Sequence, residues 1–88
     1  MAKETVPATE LIDRYIEPNP HIPGEDEVRI VGYGVPVWAL IGHFKAVNHD
    51  RSLVAHDYAL PLEAVDAALA YYHRHRAVID VRIAANAA

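Results

Sequence analysis

The chain lacks cysteine altogether. This absence excludes disulfide bonds and thiolate zinc sites, two of the devices that stabilise very small domains. Its 88 residues allow one domain, and a domain of that size buries only about 60% of its unfolded surface. Association with another chain is therefore the favoured route to additional stability.

Long hydrophobic runs are also missing. The longest candidate, residues 35–41, contains Pro36 and falls far short of the ~20 apolar residues that cross a bilayer. The first five residues show neither the basic nor the apolar segment of a signal peptide. The sequence therefore predicts a soluble, cytoplasmic protein without membrane contact.

Basic charge is not in excess, since the net charge is −4. Residues 1–27 hold two basic and seven acidic residues, a net of −5, whereas residues 28–88 hold six basic and five acidic residues, a net of +1. A dedicated nucleic-acid binder usually shows a strongly basic face. The composition predicts no such face on a single copy of the chain.

The spacing of apolar residues predicts a mainly all-α single domain over residues 1–88. A first helix is expected over residues 7–16, ended by Pro18 and Pro20. Residues 1–27 thus form an acidic N-terminal helix and a proline-rich connector. Residues 28–88 form the core of the domain, which opens with a short strand near residues 28–31.

Two further helices are predicted in the first half of this core. Pro36 suits the start of the second helix, which should end near residues 48–49. Asp50 is a suitable N-cap for a short third helix over residues 51–57. Together with the helix that follows, they match the outline of a helix-turn-helix bundle.

The fourth helix is predicted over residues 61–83 as one long amphipathic helix. Its apolar residues recur at steps of three and four, with a charged interruption at Arg76. Such a helix would span about 35 Å, whereas a compact domain of this size has a radius of gyration of about 12 Å. Its last turns are therefore expected to overhang the domain. The residues predicted to bury against a partner or against a second copy in a homodimer are Tyr72, Val78, Ile79 and Ile83.

The start of the fourth helix would face the major groove in a DNA-binding helix-turn-helix protein. Residues 61–67 contain no Arg, Lys, Asn or Gln that could read bases, and Glu63 and Asp66 would repel phosphates. Arg74 and Arg76 lie further along and are the candidate contacts to a nucleic-acid backbone. DNA binding is thus predicted only as the weaker of two functions.

Residues with catalytic or metal-binding chemistry are present but do not form a recognised motif. None of the six histidines forms a helical i, i+4 pair, although His49 and His56 could meet across the third helix. Ser52 is the only serine, and it stands in the first turn of a helix. Residues 32–34 carry two glycines without the third that a dinucleotide site requires. The sequence therefore predicts a non-enzymatic protein with no catalytic residue, cofactor or metal.

Two segments carry a likeness to a known family. The first, Gly32-Tyr-Gly-Val-Pro-Val37, is similar to a Gly-Thr-Arg-Ile-Pro-Val pattern. The second, Tyr58-Ala-Leu-Pro-Leu-Glu-Ala-Val-Asp-Ala-Ala-Leu-Ala-Tyr-Tyr72, is similar to Tyr-Pro-x-Leu-Thr-x-x-x-Val-x-Ala-Ala-Leu-Ala-Tyr. Residues 28–83 therefore resemble the bacterial family described as domain of unknown function 433.

The resemblance implies a homeodomain-like helix-turn-helix antitoxin, often encoded beside a PIN-like ribonuclease toxin. Such an antitoxin would bind and neutralise the toxin and could repress its own promoter. This chain has Tyr33 and Gly34 where the family has Thr and Arg, so the turn lacks that basic group. The expected function is an antitoxin-like interaction protein, and the alternative is a dimeric DNA-binding transcriptional regulator.

Overall fold

The computed structural model describes residues 6–87. Over this range the chain is mainly helical, as predicted, with a small two-stranded antiparallel sheet. The elements in order are α1 (Ala8–Tyr15), β1 (Ile16–Glu17), β2 (Arg29–Ile30), α2 (Val37–Ala46), α3 (Arg51–Tyr58), α4 (Leu62–Arg74) and α5 (Arg76–Ala87). None of these helices is both long enough and apolar enough to cross a membrane.

The sheet joins the N-terminal helix to the core. Ile16 pairs with Ile30 in antiparallel register, and the amide of Val31 donates a 2.8 Å hydrogen bond to the carbonyl of Tyr15. The short strand expected near residues 28–31 is confirmed, and its partner strand had not been predicted. A strand of two residues shows no alternation of apolar and polar positions by which a sequence could reveal it.

The α3 helix has well-defined ends. At its start Asp50 Oδ1 accepts a 3.1 Å hydrogen bond from the amide of Leu53, which confirms the predicted N-cap. At its end Ala59 adopts a left-handed conformation with φ of 55°. This residue allows the amide of Leu60 to donate a 2.9 Å hydrogen bond to the carbonyl of Ala55, the bond that closes a Schellman motif.

The prediction of one continuous helix over residues 61–83 is wrong, because the chain bends at His75 between α4 and α5. His75 has φ of −130° and ψ of 38°, outside the helical range. Its ring stacks on Tyr71 with centroids 4.2 Å apart, and its Nδ1 lies 2.5 Å from the Glu25 carboxylate. Contacts with the N-terminal connector thus accompany the bend.

The bend also removes the predicted overhang. The α5 helix packs against α2 and buries Ile79 completely, while Ile83 packs against the edge of the core. Arg82 places its guanidinium 5.0 Å from the centre of the Trp38 ring and forms ion pairs with the connector residues Asp26 and Glu27. The α5 helix is therefore packed against the domain and does not overhang it. The fully buried large core side chains are Ile30, Val37, Leu40, Ile41, Val54, Val65 and Ile79.

The α1 helix lies antiparallel along α4. At one end the Tyr15 hydroxyl donates a 2.7 Å hydrogen bond to Glu63, and at the other Arg74 donates a 2.8 Å bond to the Thr9 hydroxyl. Between Glu63 and Arg74 the same side of α4 carries Ala67, which is fully buried although it lies outside the main core cluster. The small alanine side chain lets the two helices approach closely.

Candidate interaction surface

The α5 helix carries apolar residues on two opposite faces. Ile79 points into the core, while the other face is open to solvent and is named here the outer face of α5. With 3.6 residues per turn, positions 77, 81, 84 and 85 fall together on the side opposite Ile79. The outer face consists of Ala77, Val78, Val81, Ala84 and Ala85, all exposed.

Val81 is the most prominent of these residues, with 70% of its surface exposed, and Val78 is 38% exposed. Single exposed apolar residues are ordinary on protein surfaces, but a contiguous helix face of them marks a site of association. The outer face of α5 contains no polar or charged residue. It is therefore the surface of this helix best suited to binding another protein.

Two charged residues of α5, Asp80 and Arg82, form ion pairs with other parts of the domain. Asp80 Oδ1 accepts hydrogen bonds from Lys45 Nζ at 2.9 Å and from the Tyr72 hydroxyl at 2.7 Å. These two donors lower the pKa of the Asp80 carboxyl, with hydrogen bonding to Lys45 the largest cause. Hydrogen bonding by the Lys45 ammonium to Tyr72, the largest cause, and to Asp80 in turn raises the pKa of Lys45. The ion pairs thus fix the orientation of α5 and leave its outer face uncharged.

The four residues predicted to meet a partner occupy different environments. Val78 lies on the outer face of α5, where it is available to a partner. Tyr72 is half-buried and bonded to Asp80, and Ile83 is half-buried against the core. Ile79 is 0% exposed, which corrects its expected place at a partner surface, because the bend at His75 turns it inward.

Val81 was missed by the sequence prediction although, at 70% exposure, it is the most exposed of the large apolar residues within residues 6–87. The prediction followed the apolar stripe that continues from α4, and that stripe contains Ile79 and Ile83. A second stripe, Ala77, Val81 and Ala84, is visible in the sequence at the same helical spacing. This stripe can be recognised as exposed only when it is known which face of α5 packs against the core.

The two candidate nucleic-acid contacts lie in different surroundings. Arg74 is directed towards α1 and its Thr9 hydroxyl. Arg76 lies over the Tyr72 ring at 5.4 Å and bonds to His73 Nδ1 at 3.2 Å. They therefore do not form one basic patch, although they stand two positions apart in the sequence.

The start of α4 is also occupied. Arg51 binds Asp66 through two nitrogens, at 2.7 and 3.1 Å, and this hydrogen bonding raises the pKa of Arg51. Glu63 accepts the hydrogen bond from Tyr15 and thereby raises the pKa of that hydroxyl. Contacts within the domain thus use both carboxylates.

Histidines are distributed over the surface. His43 bonds to Asp57 at 2.7 Å, and this bond is the largest cause of the lowered pKa of that carboxyl. His56 lies 3.4 Å from the same Asp57, whereas His49 packs on Phe44 with ring centroids 4.9 Å apart. Within residues 6–87 no group of three histidine, aspartate or glutamate side chains could hold a metal ion.

Comparisons with protein-family models, with curated proteins and with solved structures found no match for this chain. The resemblance to the family of unknown function 433 therefore stays a prediction from two segments of sequence.

Proposed function

We propose that this protein is a non-enzymatic, antitoxin-like interaction protein that binds a partner protein through the outer face of α5. The observation that carries the proposal is the exposure of an uncharged helix face centred on Val81, opposite a face that is already in the core. The partner that the sequence resemblance favours is a PIN-like ribonuclease toxin, which this chain would neutralise.

The dimensions of this surface favour a partner with a groove. The 12 residues of α5 give a helix about 18 Å long, and the side chains of its outer face are alanines and valines. A flat contact along such a face would cover a few hundred square ångströms, well below the roughly 800 Å² that each side of a stable interface supplies. A groove that encloses the helix buries its flanks as well, as in helix-in-groove recognition.

Charge supports a partner that itself binds RNA. Residues 1–27 carry a net charge of −5, counting two basic and seven acidic residues. Arg29 and Arg82 pair with Glu17, Asp26 and Glu27 of this segment, and counting both arginines against the −5 still leaves a net charge of −3. A ribonuclease needs basic residues to hold the phosphates of its substrate, and this remaining acidic charge complements such a surface. Complementary electrostatic potentials increase the rate of association and the specificity for a partner more than they increase the final affinity.

The alternative of a dimeric DNA-binding regulator gains less support. The side of α4 that would enter the major groove is covered by α1 through the contacts of Tyr15 and Arg74. Asp66, on the next turn, is paired with Arg51. Reading of DNA by α4 would require α1 to leave this position.

The test is co-expression of the chain with the product of the neighbouring gene, followed by co-purification and an assay of ribonuclease activity. We expect a stable complex in which the nuclease is inhibited. Val81→Lys should abolish binding, because an unpaired charge would be buried in the interface. A neighbouring product that is not a nuclease, or that does not bind, would contradict the proposal.

The matched control is Leu53→Lys, which places the same charge on an apolar position of α3 that is 39% exposed. This variant should bind the partner as well as the unmodified chain does. Sedimentation equilibrium of the chain alone tests the competing use of the same face by a second copy. A homodimer that Val81→Lys dissociates, without binding to the nuclease, would assign the outer face of α5 to self-association instead.

A further inference from the structure

A groove lies between the C-terminal end of α2 and the junction of α4 with α5, away from the outer face of α5. Its volume is about 420 Å³, within the ~300–1,000 Å³ of small-molecule sites. Its apolar part is formed by Phe44, Leu69 and the ring of Tyr72. Its polar part consists of nitrogen-bearing side chains only: Lys45, His49, His73 and Arg76.

Arg76 supplies a positive charge that no carboxylate within bonding distance neutralises. Among residues 6–87 it forms no ion pair within 4.0 Å, although its charge contributes to the lowered pKa of nearby Asp80. Its guanidinium is held over the Tyr72 ring at 5.4 Å. Lys45 lies 5.0 Å from the centre of the same ring. With Asp80 balancing Lys45, the polar wall of the groove keeps a net charge of +1.

The bond between Arg76 and His73 determines which imidazole nitrogen is free. A guanidinium can only donate hydrogen bonds, so His73 Nδ1, 3.2 Å from Arg76, accepts. A neutral imidazole that accepts at Nδ1 carries its proton on Nε2. The Nε2–H group therefore points away from Arg76, and the role of His73 is to hold the guanidinium in place through Nδ1. The remaining N–H groups of Arg76 can donate charge-assisted hydrogen bonds to an oxyanion.

From these contacts we infer that the groove binds a small organic anion, a phosphate or carboxylate attached to a flat apolar body. The oxyanion would bind to Arg76, which His73 holds in position, and the apolar body would lie against Phe44 and Leu69. Among residues 6–87 no carboxylate lines the groove, and nearby Asp80 is already held by Lys45 and Tyr72. This site is independent of the proposed partner surface.

The experiment is a titration of the full chain followed by amide NMR, with phenyl phosphate as the first probe and 3-phenylpropionate as the second. Both should shift the amide signals of Lys45, Leu69 and Arg76. Inorganic phosphate and benzyl alcohol, which each carry only half of the required chemistry, should bind at least about tenfold more weakly. The two aromatic probes distinguish a phosphate ligand from a carboxylate ligand.

Arg76→Gln should weaken the binding of the preferred probe by about tenfold or more, since a charge-assisted hydrogen bond is lost. Arg74→Gln is the matched control, because it removes the same charge two residues away from a side chain directed at Thr9. It should leave the affinity unchanged. His73→Ala, a second variant at an exposed position, should weaken binding several-fold.

Equal losses of affinity in the two arginine variants would show only a general attraction of the anions to positive charge and would overturn the proposed site. So would an absence of shifts with either aromatic anion at millimolar concentration. Binding of single-stranded RNA, lost equally in both arginine variants and without any response to the small anions, would assign these arginines to a nucleic-acid backbone instead. Far-UV circular dichroism verifies that each variant is folded.

Discussion

The Tyr72 hydroxyl donates a 2.7 Å hydrogen bond to Asp80 across the bend that separates α4 from α5. The same carboxylate oxygen accepts a 2.9 Å bond from Lys45 Nζ on α2. Asp80 therefore ties three helices together at one point. Together with the burial of Ile79 and the ion pairs of Arg82, this point orients α5 so that Val81 faces solvent.

Removal of the Tyr72 hydroxyl tests this connection. Tyr72→Phe should lower the free energy of unfolding by about 1 kcal/mol, since the ring still packs but one hydrogen bond is lost. Urea denaturation followed by circular dichroism gives the difference. Tyr33→Phe is the control, because Tyr33 is half exposed and its hydroxyl bonds to no other described residue. An equal loss in both variants would mean that the bond between Tyr72 and Asp80 contributes nothing.

The bend itself illustrates what the sequence could and could not predict. Residues 62–83 keep one apolar period throughout and contain neither glycine nor proline, so local signals favour one helix. The bend accompanies contacts of His75 with Tyr71 and Glu25, the second of which lies 50 positions away in the chain. Tertiary contacts override a local pattern of this kind, and no single sequence reveals them.

The helix starts were easier to predict. Asp50 was identified as an N-cap from its residue type alone, and the structure confirms its bond to the amide of Leu53. Pro36 and Pro61 stand at the N-caps of α2 and α4, one position before the first helical residue at which they were expected. The outer face of α5 was only partly predictable, since Val81 becomes significant only once Ile79 is known to be buried.

The ionised form of Asp80 should make stability depend on acid pH. Its pKa is lowered below 3.8 in the folded chain by Lys45 and Tyr72. The contribution is complete above the unfolded pKa and is lost as the pH falls through the folded value. Asp80→Asn should therefore destabilise the chain at pH ~6, and the difference from the unmodified chain should shrink at pH ~3.

Denaturation midpoints at the two pH values measure this convergence. Asp13→Asn is the control for a simple change of net charge, because Asp13 is exposed and forms no ion pair with another described residue. Some acid dependence should survive in Asp80→Asn, since His43 also lowers the pKa of Asp57. A difference that grows towards low pH would contradict the ionic role of Asp80.

Two substitutions on opposite faces of α5 should differ in their effect on the free energy of unfolding. Ile79→Ala should lower the free energy of unfolding by about 2–5 kcal/mol, because it leaves a cavity in place of a fully buried side chain. Val81→Ala should change the free energy of unfolding by less than about 0.5 kcal/mol, as is usual at exposed sites. Similar unfolding free energies for the two variants would restore the overhanging helix that the sequence predicted.

The end of α3 offers a stabilising substitution. Ala59 has φ of 55°, a conformation that favours glycine because a Cβ atom is strained there. Ala59→Gly should therefore raise the free energy of unfolding by about 0.5–1 kcal/mol, even after the added flexibility of the unfolded chain. Ala55→Gly, in the regular part of the same helix, should lower it. A loss in both variants would mean that Ala59 is not strained.

The packing of α1 on α4 depends on the small size of Ala67. Ala67 is fully buried and lies between the contact of Tyr15 with Glu63 and that of Thr9 with Arg74. Ala67→Leu should push α1 away at a cost of about 1–3 kcal/mol, whereas Ala77→Leu on the exposed outer face of α5 should cost little. Hydrogen exchange should then show faster exchange in α1 of the first variant alone.

Because displacement of α1 uncovers the outer side of α4, the same variant also tests the DNA-binding alternative. If α4 reads DNA once uncovered, Ala67→Leu should gain salt-sensitive affinity for duplex DNA, and an unchanged lack of binding would leave protein association as the better supported function.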